Sequence, residues 1–327
     1  MQGLVTVFGG SGFVGGQIVR ALAKRGRRVR VAVRRPGRAY RSRMLGDVGQ
    51  IEVVQANIRD DASVARALDG AEACINAVAV LYEVGRQGFD ALHVDGAARV
   101  ARAAADRGIG RVIHISALGA DARSPSRYVS TKAAGEAAVR AAAPTATILR
   151  PSVVFGPEDH FFNRFAAMAT ISPMLPLIGG GATRFQPVFV ADVAAAAAHA
   201  VADTETAGRT FELGGPTTYS FKELMERMLA VIERRRLLVA VPFGVASLIG
   251  LIGDLAAATG MVAPPITHDQ VEMLRADNVV GAGSQGLADL GVAATALEPV
   301  IPTYLYRYRK GGQYAELTRA AAALPPR

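Results

Sequence analysis

Four glycines fall within the eight residues Phe8-Gly9-Gly10-Ser11-Gly12-Phe13-Val14-Gly15. The apolar run Leu4-Val5-Thr6-Val7 precedes them, and a helix-forming stretch from about Gly12 to Arg25 follows. In that setting each glycine has a reason: Gly9 permits a tight turn, Gly12 lets backbone approach a pyrophosphate, and Gly15 packs the helix closely on the sheet. Gly10, Ser11, Phe13 and Val14 complete a cradle in which the helix N-terminus offers free N–H groups and a positive dipole end to an anion. A glycine turn without a ligand is the alternative. The flanking strand and helix favour a dinucleotide.

The end of the second strand selects which dinucleotide. Asp or Glu there holds the ribose 2′-hydroxyl of NAD, whereas Arg suits the 2′-phosphate of NADP. Here Val29-Arg30-Val31-Ala32-Val33 runs into Arg34 and Arg35 with no acid nearby, and a carboxylate in their place would repel a phosphate. The cofactor expected is therefore NADPH. By position in such a fold, Asn57 and Ile58 contact the adenine edge, Ala77, Val78 and Ala79 lie against a ribose, and Pro151 and Val153 complete the site after the sixth strand.

Tyr128-Val129-Ser130-Thr131-Lys132 places a tyrosine and a lysine on one helix face. With Ser116 at the end of the fifth strand, the three could move protons: Lys132 lowers the Tyr128 pKa and holds the nicotinamide ribose, Tyr128 is acid or base, and Ser116 orients a carbonyl. Alternatively, Tyr128 and Lys132 only bind ribose. The histidines His93, His114, His160, His199 and His268 have no metal-ligand spacing with one another or with Cys74, so no metal is expected.

The elements that must position these residues alternate as strand and helix, the pattern of an α/β, Rossmann-like, doubly wound parallel sheet. Beyond the strands at residues 4–7 and 29–33, strands are expected at Ile51–Val54, Ala73–Val78, Arg111–Ile115 and Ala146–Leu149. Helices are expected from Phe89 to Arg107 and from Tyr128 to Ala142. Residues 1–150 are expected to form the NADP-binding domain. Residues 151–327 are expected to form a smaller mixed lobe with an interface tail, some segments returning to the sheet. That lobe has strands at Gln186–Val190 and Thr210–Leu213 and helices at Asp192–Ala202 and Phe221–Arg235. The apolar run from Phe243 to Ala263 contains Asp254 and is broken at Gly244, Gly250, Gly253 and Gly260. It is expected to be a buried or interfacial helix, not a membrane span.

Half of the 327 residues are hydrophobic and 20% are charged, which excludes a disordered chain. One cysteine cannot form an internal disulfide, so a stapled secreted scaffold is excluded. The first strand begins at Gly3, from which no leader peptide is expected. The net charge of +9 is local. Of 37 basic residues eleven precede the first acid, Asp47, leaving 26 against 28 acidic ones. No aromatic lies between Phe13 and Tyr40, so the basic stretch does not look like a nucleic-acid stripe. A phosphate-bearing cofactor, an acidic partner or anionic lipid suits it better.

Together these residues resemble the short-chain dehydrogenase/reductase superfamily in its atypical, extended-like branch. The series Ile115–Ala120, Arg150–Asp159, Phe161–Phe165, Pro176–Gly181 and Phe185–Val193 is more specific. It resembles the NADPH-binding accessory subunits of respiratory complex I. That resemblance implies a tightly held NADPH off the electron path, other complex I subunits as partners at the junction of peripheral and membrane arms, and a peripheral place on the cytoplasmic face of a bacterial inner membrane. Asn57 stands where the superfamily usually has Asp. A non-catalytic subunit supporting assembly near the quinone site is the first reading. A free-standing NADP-dependent reductase, epimerase or dehydratase is the second, and an NADP(H) redox sensor the third. The tail Tyr304–Lys310, mixing aromatics with cations, suits an interface.

Overall fold

The computed structural model describes residues 2–258 and 266–314. Its first half runs β1 (Gln2–Phe8), α1 (Phe13–Lys24), β2 (Arg27–Val33), β3 (Ile51–Gln55), α2 (Asp61–Ala67), β4 (Ala73–Asn76), α3 (Asp95–Ala105), β5 (Arg111–Ile115), α4 (Arg127–Ala142) and β6 (Thr147–Pro151). The second half continues with β7 (Val154–Phe155), α5 (Phe162–Ile171), β8 (Met174–Ile178), β9 (Arg184–Phe185), β10 (Val188–Phe189), α6 (Val190–Ala202) and β11 (Thr210–Leu213). It ends with β12 (Tyr219–Ser220), α7 (Phe221–Val231), β13 (Leu237–Val241), α8 (Phe243–Ala258), α9 (His268–Met273) and α10 (Pro302–Leu305).

Seven parallel strands form the main sheet in the order β11-β6-β5-β4-β1-β2-β3. Both faces are covered, so Val5, Thr6, Val7 and Phe8 of β1 are all buried. Ile18 and Leu22 of α1 pack with Val193 and Ala197 of α6 on one face. Val64 of α2, Val100 of α3 and Val139 of α4 pack on the other. The direction of winding reverses between β1 and β4, which opens a crevice at their carboxyl ends. Because β11 pairs with β6 and α6 lies on the main core, the division at residue 150 separates stretches of sequence but not two sheets.

Several elements differ from expectation: the strand expected over Gln186–Val190 is reduced to Val188–Phe189, and Val190 already belongs to α6. The strand expected to reach Val78 stops at Asn76, whose Oδ1 turns back to accept from Val78 N at 3.2 Å. The helix expected from Phe89 opens with a π turn, Asp90–Val94, before α3. The helix expected to reach Arg235 ends at Val231, and Glu233 just beyond it takes a left-handed φ of 54°. The unanticipated α2 is capped by Asp60, which accepts from Ser63 N at 2.6 Å.

The second lobe is built on linked aromatic rings. Phe161 contacts Phe162, Phe165, Phe185 and Phe221 at centroid distances of 5.1–6.1 Å. Part of the tail read as an interface belongs to this core: Tyr304 and Leu305 are buried in it, whereas Tyr306, Arg307 and Lys310 are exposed. The Tyr304 hydroxyl donates to the buried Asp159 at 2.5 Å, and Arg309 Nε donates to Val231 O at 2.9 Å. An aromatic ring with one polar tip can fill a core if that tip finds a partner, and Asp159 supplies one.

α8 is the exception to this closure. Its inner positions Ala246, Gly250 and Gly253 are buried, whereas Val245, Leu248, Ile249, Leu251, Ile252 and Leu255 are exposed. This fits the interfacial alternative for the run as far as Ala258; its last residues, 259–263, lie outside the described ones. Among the described residues no helix is long and apolar enough to cross a membrane.

Tyr304→Phe is expected to lower stability by about 1–3 kcal/mol, because it leaves the buried Asp159 carboxylate short of a donor. Urea unfolding of the two chains measures the difference.

Candidate nucleotide site

The glycine turn sits at the crevice between β1 and β4. Gly9 has a φ of +77°, which only glycine adopts without strain, and its N–H donates to Ala32 O of β2 at 3.0 Å. A Cβ at Gly9 would lie 3.0 Å from Ala77 O, and one at Gly15 only 2.2 Å from Gly9 O. Gly15 therefore brings the first turn of α1 against the glycine loop itself. Gly10 is buried against Val19 and Val31, while Ser11 and Gly12 are exposed to the crevice. Gly12 occupies the N-cap with no side-chain cap, and α1 carries no acid in its first turn. The N–H groups there remain available to an anion.

Arg34 and Arg35 follow β2 directly, and among the described residues neither has a carboxylate within salt-bridge distance. Other early cations do: Arg30 pairs with Glu52 at 2.9 Å and Arg27 with Glu72 at 3.8 Å. The Arg34 guanidinium is held below its ordinary value by partial burial and then by the Arg35 and Arg59 charges. An added dianion would relieve that repulsion. Arg59 is a residue that sequence reasoning missed. Its backbone N–H donates to Asn57 Oδ1, its Nη1 donates to Arg86 O at 2.8 Å, and its Nε is buried without a partner. The signal was present as a cation four residues beyond the end of the neighbouring strand β3.

Asn57 thus directs its carbonyl oxygen to a local turn. Ile58 differs from expectation: its side chain lies in the core against Gly96, so only its backbone can meet an adenine. Ala77 N donates to Phe8 O at 3.0 Å, which lays Ala77, Val78 and Ala79 beside the glycine turn. Across the sheet, Leu118 N donates to Pro151 O at 2.9 Å and Val153 N to Asn278 Oδ1 at 3.2 Å. Asn278 also accepts from Ser152 Oγ at 2.6 Å and donates to Leu118 O at 3.3 Å, so it pins the loops after β5 and β6 together.

Ser116 lies at the end of β5 next to Ile115, whose carbonyl binds Lys132, and Tyr128 stands one turn before Lys132 on α4. Ser116 Oγ is buried with no hydrogen-bond partner, as a group reserved for a ligand would be. Lys132 Nζ donates to Ile115 O at 2.8 Å, and burial lowers its pKa to about 8 against the opposing pull of Glu136. Tyr128 packs edge-on to His93 and Phe89 at 5.5 and 6.0 Å. The expectation that Lys132 lowers the Tyr128 pKa is not what this geometry produces. Burial, and then the Asp269 carboxylate, push the phenol up to about 12. The cradle a Cβ would fill and the orphaned Ser116 hydroxyl both fit a dinucleotide laid along the crevice.

His93, in the π turn, holds this end together. Its Nε2 accepts from Val80 N at 3.1 Å and its Nδ1 meets Thr131 Oγ1 at 3.2 Å, while Thr131 donates to Arg127 O at 2.6 Å. That pattern requires the neutral ring with the proton on Nδ1. Burial and the Lys132 charge lower its pKa to about 3. Between pH 6.5 and 3 the unfolded chain binds this proton and the folded chain does not, so stability falls as pH falls. His93→Gln is expected to make the slope of unfolding free energy between pH 6 and 4 shallower by up to about 1.4 kcal/mol per unit. Urea unfolding at several pH values measures it, and an unchanged slope would contradict the neutral ring.

Comparison with known proteins agrees with this geometry. The family model for the NAD dependent epimerase/dehydratase family matches residues 5–214. The Arabidopsis thaliana protein named NADH dehydrogenase (ubiquinone) 1 alpha subcomplex subunit 9, mitochondrial, is 36% identical over 95% of this chain and 80% of its own length. The Neurospora crassa NADH-ubiquinone oxidoreductase 40 kDa subunit, mitochondrial, is 31% identical over 94% and 80%. Among solved structures, an NADPH-dependent quinone oxidoreductase of Escherichia coli complexed with NADPH superposes with a TM-score of 0.72 at 20% identity, covering 91% of this chain and 99% of that one, which speaks for the fold alone. The glycine cradle, the seven-stranded sheet and these matches place the chain in the NAD dependent epimerase/dehydratase family and, within it, in the family of the alpha subcomplex subunit 9 and 40 kDa subunits of NADH:ubiquinone oxidoreductase.

Proposed function

We propose that this chain is a non-catalytic accessory subunit of a proton-pumping NADH:ubiquinone oxidoreductase, holding NADPH as a structural ligand. The observation that carries the reading is the union, in one chain, of a dinucleotide cradle with a helix whose exposed side chains, among the described ones, are apolar. A metabolic enzyme has use for the cradle only. A subunit seated among other proteins at the junction of the peripheral and membrane arms has use for both, with α8 facing a partner subunit or the lipid surface. The attachment is peripheral, on the cytoplasmic face of the inner membrane in a bacterium.

The chain's own residues account for retention of the nucleotide. The first-turn N–H groups of α1 receive the pyrophosphate. Arg34 and Arg35, free of carboxylate partners, receive the 2′-phosphate by charge-assisted hydrogen bonds. Tyr128, Lys132 and Ser116 hold the nicotinamide end. Bound NADPH supplies a hydride donor, but a phenol near 12 is a poor proton donor at neutral pH, since general acids work best with a pKa close to the operating pH. Because only the folded chain binds it, the nucleotide stabilises the subunit by mass action.

Chromatography of the nucleotide released by denaturing the purified chain should identify NADPH. Recovery of NADH alone, or of none, would overturn the cofactor assignment. Arg34→Asp should weaken NADPH binding about 10- to 100-fold and leave NADH binding nearly unchanged.

In membranes of the source organism the chain should co-migrate with NADH dehydrogenase activity on solubilisation. Tyr128→Phe should leave quinone reduction within about twofold of wild type, whereas loss of a catalytic tyrosine costs roughly 10²–10⁴ in rate. Gly12→Asp, which sets a carboxylate against the pyrophosphate, should lower the amount of complete complex. A free homo-oligomer with turnover of its own would favour the reductase, epimerase or dehydratase reading.

A further inference from the structure

α4 carries both Tyr128 and Lys132, yet its own first turn contains no acid. The negative charge that suits a helix N-terminus is imported from far along the chain. Asp269 of α9, more than 140 residues away, accepts from Arg127 N through Oδ1 at 2.5 Å and from Tyr128 N through Oδ2 at 3.1 Å. The same Oδ2 accepts from the hydroxyl of the N-cap residue Ser126 at 2.9 Å, and that hydroxyl accepts in turn from Val129 N at 3.3 Å. The whole first turn is thereby fastened to the second lobe.

α9 is itself fixed. Thr267 and Gln270 close a capping box at its start, and Val271 is buried against Ala246 of α8 and Ile178 of β8. His268 N donates to Asp254 Oδ2 of α8 at 3.2 Å. Gln270 also reaches Leu81 O at 3.4 Å, in the loop that follows Ala77, Val78 and Ala79. One short helix of the second lobe therefore touches both segments that frame the nicotinamide end of the crevice, α4 and the loop after β4.

We propose that Asp269 is a positioning residue of the nucleotide site: by capping α4 it sets the Tyr128 and Lys132 side chains for the nicotinamide ribose, so that the second lobe controls how tightly that half of the nucleotide is held. The adenosine half, bound by the glycine turn and the arginines after β2, lies outside its reach. This rests on the NADPH reading above and assigns a residue that lies outside every dinucleotide motif of the sequence.

The test compares two ligands on the full chain by titration calorimetry. NADPH occupies both halves of the site, whereas adenosine 2′,5′-bisphosphate occupies the adenosine half alone. Asp269→Ala should weaken NADPH about tenfold and leave adenosine 2′,5′-bisphosphate within about twofold of wild type. Asp269→Asn, which keeps the shape and one acceptor oxygen, should fall between and guards against a variant that fails to fold. Equal weakening of both ligands, or no change in either, would overturn the positioning role. A wild-type chain that binds adenosine 2′,5′-bisphosphate and NADPH no better than their counterparts lacking the 2′-phosphate would instead overturn the NADPH reading on which it stands.

Discussion

No side chain can be accommodated where α1 meets the loop that follows β1, and the rest of the site is arranged around that contact. With only hydrogen at residue 15, the first turn of α1 rests against the Gly9 carbonyl, and Gly9 itself turns with positive φ beside Ala77. The helix axis is thus aimed at the crevice where the sheet reverses its winding. Its uncapped N–H groups point at the one place in a doubly wound sheet where a ligand is not blocked by a crossover helix. α6, rich in alanine, packs beside α1 on the same face of the sheet.

Charge follows the same geometry. The early arginines look like one basic block in the sequence, but the fold divides them. Arg27 and Arg30 of β2 meet Glu72 and Glu52 and become structural pairs. Those just past the strand end meet no acid and instead face a further guanidinium, Arg59, on the neighbouring loop. Like charges gathered without counter-ions are costly, a cost that an anionic ligand would relieve. At the opposite end the buried groups are kept neutral or bonded to backbone: His93 as a neutral ring and Lys132 on Ile115 O.

The second lobe closes over its own aromatic core and leaves α8 open. Exposed Leu and Ile on successive turns cost free energy in water, and α8 leaves that apolar face unpartnered within the chain. α8 shares its inner contacts with α9, and α9 caps α4. The outward apolar helix and the inward nucleotide-facing helix are therefore parts of one packed unit, linked by Val271 and Asp269.

The period-two and helical patterns, and the glycines between them, were enough by themselves to define the α/β class, the alternation of most strands and helices in the first half and the glycine turn between β1 and α1, because those depend on interactions a few residues apart. That Arg34 and Arg35 follow directly on the end of β2 was legible for the same reason: a strand end and its next two residues are local. What the tertiary structure alone decided involves partners distant in sequence. The burial of Tyr304 on Asp159, the pinning of the loops after β5 and β6 by Asn278 and the cap of α4 by Asp269 join residues more than 100 positions apart. No periodicity encodes them. The elevated phenol of Tyr128 belongs to this second group as well, since its causes are burial, with Phe89 and His93 against the ring, and then the Asp269 carboxylate, and not the neighbouring lysine that the Tyr-Lys spacing suggests. Ile58 likewise turned inward because Gly96 on α3 leaves a hole for it, a packing fact invisible along the chain.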